Sequence, residues 1–109
     1  MSDRIVAIPV DAQGGVGGGL GKAHRMAVAV IEADGIVSWT EHETNWDVLH
    51  DQGEHGAHHA RIVRFMMENG VTHVAAAHIG PPMQNTLIKL GLTISMDAAG
   101  DAREAALRA

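Results

Sequence analysis

Residues 58–96 read HHARIVRFMMENGVTHVAAAHIGPPMQNTLIKLGLTISM, and the order of patterns within them decides the fold. From His58 to Asn69, the apolar residues Ile62, Val63, Met66 and Met67 recur at helical spacing, and Asn69-Gly70 supplies a left-handed C-terminal cap. This helix is expected to begin near Gly56. Val71 to Ile79 reads as a buried strand, broken by Gly80-Pro81-Pro82. Met83 to Leu90 then reads as a short helix closed by Gly91, and Leu92 to Met96 as a further strand. Helix, strand, helix and strand in succession imply parallel strands joined by right-handed crossovers, with helices covering the sheet.

Towards the N-terminus, Arg4 to Val10 (RIVAIPV) is a β-branched run with Pro9 near its end, which predicts a strand stopping at Asp11. Arg25 to Ile31 and Ile36 to Glu43 are strand-like runs joined by Glu32-Ala33-Asp34-Gly35, and the Asp-Gly pair signals an antiparallel hairpin. Between these features, residues 12–22 (AQGGVGGGLGK) hold six of the 13 glycines and read as an adaptable loop near a ligand. A phosphate-binding loop is not expected there, because Lys22 is followed by Ala23-His24 rather than by Ser or Thr opening a helix. Asn45 to Gly56 reads as a loop pinned by Trp46, Val48 and Leu49, and Gly100 to Ala109 as a terminal helix with Asp101 near its start. The predicted order is βββαβαβα: an α/β fold with a mixed five-stranded sheet and covering helices, forming a single domain over residues 1–109.

Composition narrows the function. One Phe, two Trp and no Tyr leave the core to Val, Ile, Leu, Ala and Met, with Met26, Met66, Met67 and Met96 expected inside. A formal charge of −5 and scattered basic residues argue against nucleic acid as a partner. No apolar run approaches the ~20 residues that span a bilayer, so no membrane role and a cytoplasmic location are expected. Cysteine is absent, which removes disulfides, thiolate catalysis and the usual protein ligands of iron–sulfur clusters. Histidine instead occurs eight times, four of them between His50 and His59.

In Glu54-His55-Gly56-Ala57-His58-His59, the offsets of three and four from His55 share one helix face, so these imidazoles can converge on one metal. A histidine set suits Zn, Cu, Ni or Fe better than Mg or Ca. The plainer reading, in which such histidines cap, hydrogen-bond or face water, carries comparable weight on spacing alone. His78 and Gly80 lie at the carboxyl end of a predicted parallel strand, just before a helix whose N-terminus offers N–H groups to an anion. There His78 serves equally well as a ligand or as a turn-fixing hydrogen-bonder. Met83 could offer a thioether, although packing is its commoner role. His24, His42 and His73 are expected to be satisfied structural residues, while His50 leads into the cluster. Asp11 and Asp97 end predicted strands and could approach each other, but without a positioned nucleophile or third acid they make a weak hydrolase, so no enzyme activity is expected.

Together, RIVAIPVD at the start, GLGKAH before the hairpin, EHGAHHARIVRFMMENGVTHVAAAHIGPPMQNTLIKLGLTI through the middle and GDAREA near the end resemble the dinitrogenase iron–molybdenum cofactor-binding family. The resemblance covers nearly the whole chain. It implies a ribonuclease-H-like fold without nuclease chemistry, and non-catalytic binding or carriage of an iron–sulfur or iron–molybdenum cluster or its precursor, with cofactor-assembly proteins as possible partners. Under it, His55, His58, His59, His78 and Gly80 form the expected binding set. Where the family often carries His-Phe-Gly before the second strand, this chain has Gly19-Leu20-Gly21, with His24 a few residues on as a substitute. Two other readings stand beside it: a mononuclear Zn, Ni or Cu site on His55, His58 and His59, and a protein-interaction module whose histidines are structural.

Overall fold

The computed structural model describes residues 4–50 and 55–109, with His55 described by its backbone only. Strand β1 (Arg4–Pro9) lies at the centre of a five-stranded sheet of order β3-β2-β1-β4-β5. On one side it pairs antiparallel with β2 (Arg25–Glu32), which pairs antiparallel with β3 (Gly35–Glu43). On the other side it pairs in parallel with β4 (His73–Ala75), and β4 in parallel with β5 (Thr93–Ser95). This is the expected mixed sheet, and β2 and β3 form the predicted hairpin.

Alternation along β1 divides the core into two layers. Ala7 faces one layer with Met26 and Val74, where three helices supply Trp46 (α1, Trp46–Leu49), Ile62 and Met66 (α2, His55–Glu68), and Met83 and Leu87 (α3, Pro81–Lys89). Val6 and Ile8 face the other with Ala27, Ala29, Ile31 and Ala75, closed by Ala102, Ala105 and Ala106 of α4 (Ala102–Arg108). The predicted terminal helix is thus present, and the Asp101 side chain caps it by accepting from the Glu104 N–H at 3.0 Å.

Several expectations need correction. The segment expected to be a loop from Asn45 contains α1, with Trp46 buried but Val48 58% exposed; residues 51–54 of that segment lie outside the described residues. Helix α2 starts at His55, so the backbone of His55 is already helical. The run from Val71 to Ile79 forms a strand only at His73–Ala75, and α3 begins at Pro81 because proline, lacking an N–H, suits the first helical positions. Met26 and Met66 are core residues as expected, whereas Met67 and Met96 are 62% and 44% exposed. The hairpin turn centres on Ala33-Asp34, one residue before the Asp-Gly pair, and Ala33 takes φ +53. A left-handed alanine costs about 1–2 kcal/mol, so Ala33→Gly should raise stability by about 0.5 kcal/mol after the extra chain entropy of glycine is offset. A urea midpoint that falls on this substitution would contradict the assignment.

The glycine-rich loop is a strap rather than an adaptable segment. The Asp11 carboxylate accepts from the Gln13 and Gly15 N–H groups at 2.9 and 2.8 Å. Backbone bonds then tie Gly17 to Pro9, Val16 to Gly100, Ala102 to Gly14 and Ala77 to Gly18. Glycine is needed at Gly14 and Gly18 for φ of +84 and +95, and at Gly17 for close approach to Val10. The Asp11 Oδ1 is thus taken up within the strap, while Asp97 borders a hollow beside α4 whose lining does not include Asp11.

Candidate functional site

Beyond the carboxyl ends of the parallel strands, the strap ends in a short 3-10 turn, Leu20–Lys22, anchored by the Leu20 N–H donating to the His78 carbonyl at 2.9 Å. The start of α2 faces this turn, and the start of α3 closes the far side. Between them lies a cavity of about 380 Å³, lined by Leu20, Gly21, Lys22, His50, His58 and His59, with Ile62, Ile79, Gly80, Pro82 and Met83 completing the wall.

His58 is held at both ring nitrogens. The Arg61 Nη1 donates to its Nδ1 at 2.8 Å, and since a guanidinium can only donate, Nδ1 carries the lone pair and the ring proton sits on Nε2. That Nε2–H donates to the Gly21 carbonyl at 2.7 Å, which pins the 3-10 turn to α2. Trp46 packs edge-on against the same ring at 6.2 Å, and Phe65 packs edge-on against Trp46 at 5.4 Å. The lone Phe and one of the two Trp thus brace this one imidazole from behind.

His59 is held at one nitrogen. The Thr86 hydroxyl donates to the Pro82 carbonyl at 3.1 Å, so it accepts from the His59 Nε2–H at 2.7 Å. The lone pair of His59 is therefore on Nδ1, the form in which an imidazole ligates a metal. This is the carboxylate-free counterpart of the outer hydrogen bond that usually orients a metal-bound histidine.

The cavity brings together His58, His59 and Gly80 of the expected binding set, together with His50 and Met83. His78 does not join them: its side chain is exposed, and its carbonyl braces the strap instead. The side chain of His55 lies outside the described residues, although its backbone opens α2 on the same side. Pro81 and Pro82 lack N–H groups, so the N-terminus of α3 offers an anion fewer donors than expected. Among the described residues no group of three His, Cys, Asp or Glu is placed to hold a metal ion.

The remaining histidines are structural in different degrees. His24 meets Asp47 at 3.2 Å, and His73 meets the Thr72 hydroxyl at 2.8 Å. Burial, and secondarily the Arg4 guanidinium, hold the His73 pKa below the usual imidazole range. His42 corrects the expectation of satisfied histidines, since its buried Nε2 has no hydrogen-bond partner while its ring packs edge-on against Phe65 at 5.3 Å. Sequence reasoning missed Arg61, whose signal was its spacing three residues after His58 on a helix.

A family profile described as dinitrogenase iron-molybdenum cofactor matches residues 3–109. The chain belongs to this iron–molybdenum cofactor family. Two solved structures share its fold. The protein PH0822 superposes with a TM-score of 0.72 at 19% identity, over 92% of this chain and 84% of that one. A dinitrogenase candidate (mj0327) from Methanocaldococcus jannaschii superposes with a TM-score of 0.69 at 11% identity, over 99% of this chain and 89% of that one. A search of curated proteins returns no significant match. No helix among the described residues is long and apolar enough to cross a membrane.

Proposed function

We propose that the protein holds an iron–sulfur or iron–molybdenum cluster, or a precursor of one, as cargo in the cavity between the 3-10 turn and the starts of α2 and α3. The observation that carries this reading is the donor set. His59, whose Nε2–H is taken by Thr86 and whose lone pair is on Nδ1, lines a largely apolar cavity together with Met83. Its volume of about 380 Å³ falls in the range of small-ligand sites, larger than a single ion needs. Nitrogen and thioether donors suit the iron of a preassembled cluster, which brings its own sulfide and does not require four protein thiolates. In this reading His59 and His55 are the ligands, Gly80 and His50 belong to the wall, and His58 keeps the wall closed. His78 contributes its backbone. Cofactor-assembly proteins are the expected donors and acceptors of the cargo.

A mononuclear Zn, Ni or Cu site on His55, His58 and His59 is less well supported, because His58 has neither nitrogen available while Arg61 and Gly21 hold it. The test is anaerobic titration of tag-free protein with a synthetic tetrathiolate [4Fe–4S] dianion, followed by absorbance, paramagnetic resonance, and iron and sulfide analysis. One cluster per chain is expected, with His59→Ala weakening binding at least tenfold. Retention of one divalent ion without sulfide, or unchanged affinity in His59→Ala, would overturn the proposal.

A further inference from the structure

We infer that the cavity selects its cargo by charge, admitting anionic metal–sulfur species and refusing bare divalent cations, and that Arg61 is the residue enforcing the refusal. The inference rests on the cluster-carrying reading and adds the charge class that the site accepts. It starts from a contrast within the chain. The protein carries 13 acidic and 8 basic residues, yet none of the described residues lining this cavity is Asp or Glu. Among the described residues its titratable lining is Lys22, His50, His58 and His59. The nearest carboxylate on the adjoining helix, Asp47, is turned to His24 at 3.2 Å and does not line the cavity.

Behind the wall, Arg61 places its guanidinium 2.8 Å from the His58 Nδ1. A divalent cation bound at that nitrogen would have to displace this hydrogen bond and approach a positive charge, with no carboxylate among the described lining residues to compensate. An anionic cluster meets the opposite situation, because Lys22 in the lining attracts it, Arg61 adds its charge from behind the His58 ring, and His59 still offers a lone pair. Arg61 also reaches towards the Leu49 carbonyl at 3.5 Å, at the end of α1. Arg61 is thus a positioning residue acting through His58, and it denies the His58 nitrogen to bare metal.

The experiment compares wild type, Arg61→Met, Arg61→Lys and Lys22→Ala for binding of Co²⁺ alone and of the tetrathiolate [4Fe–4S] dianion. Methionine keeps the buried stem of the side chain and removes its charge. Arg61→Met should bind Co²⁺ at least tenfold more tightly than wild type, with a cobalt–imidazole absorption band, and Arg61→Lys should restore the refusal. Nitrogen-15 spectra should show His58 as the Nε2–H tautomer in wild type and as a mixture of tautomers in Arg61→Met. Lys22→Ala, at an exposed site, should weaken dianion binding severalfold in a salt-sensitive way and leave the fold unchanged. Equal Co²⁺ affinity in wild type and Arg61→Met, or a His58 tautomer indifferent to Arg61, overturns the inference. Should wild type ignore the dianion while Arg61→Met gains Co²⁺, the cargo reading falls and the role of Arg61 in excluding cations stands. An unfolded Arg61→Met leaves the decision to Arg61→Lys and Lys22→Ala, and the inference then fails if salt and Lys22→Ala leave dianion affinity unchanged.

Discussion

Trp46→Ala should cost about 3–5 kcal/mol of stability, the range for deleting a large buried aromatic side chain. Trp46 is 2% exposed and belongs to the core layer that contains Ile62, Met66 and Leu87. Its backbone also joins two elements, since its N–H donates to the Ala23 carbonyl at 2.9 Å and its carbonyl accepts from the His50 N–H at 3.0 Å. Truncation leaves α1 only the partly buried Leu49 as an apolar anchor, because Val48 is exposed. Domains of this size have about 5–15 kcal/mol in hand, so the variant should melt well below wild type but remain measurable in the cold. The loss reaches function through His58, whose ring meets the indole edge-on at 6.2 Å. Cluster affinity should therefore fall along with stability, and Trp46→Phe should recover part of both. A urea unfolding free energy within 1 kcal/mol of wild type would show that α1 is not held in this way.

The five strands, the three longer helices and their order were legible because their signals are local and periodic. Ile62 and Met66 mark the buried stripe of α2, and the β-branched run of β1 and the turn after Glu32 mark the hairpin half of the sheet. What was not legible is what depends on contacts across the chain. Met67 shares the apolar pattern of α2 but lies beside the stripe, and only packing decides that Met66 is covered while Met67 is exposed. The four-residue helix α1 is too short for periodicity, and it opens from a left-handed Asn45 at φ +55. At the site, the histidine enrichment falls at the start of α2. The different states of His58 and His59 follow from partners 37 and 27 residues away, Gly21 and Thr86, which no spacing rule connects. His78 shows the same limit from the other side, since its place at a strand end was readable but the use of its carbonyl instead of its ring was not.

Gly17→Ala should destabilise the protein by about 2–3 kcal/mol, the scale of forcing an extra carbon into a packed region. A Cβ at Gly17 would lie 2.9–3.0 Å from the carbonyl carbon, nitrogen and oxygen of Val10, backbone atoms that cannot rotate aside. Either the end of β1 or the strap must shift. Gly21 provides the control, because a Cβ there meets nothing within 4 Å and Gly21 is not among the positive-φ residues, so Gly21→Ala should stay within about 0.5 kcal/mol of wild type. The two glycines are four positions apart in the same stretch, and a loop that merely needed freedom would respond similarly at both. Function should follow the same division. Displacing Gly17 strains the neighbouring bonds from Ala77 to Gly18 and from Leu20 to His78, which hold the 3-10 turn in place. That turn supplies the Gly21 carbonyl under His58, so Gly17→Ala should weaken cluster binding even at a temperature where the variant is folded. Calorimetric melting of both variants, paired with anaerobic dianion titration, decides the point: equal melting temperatures would mean that the glycines serve flexibility and not close approach.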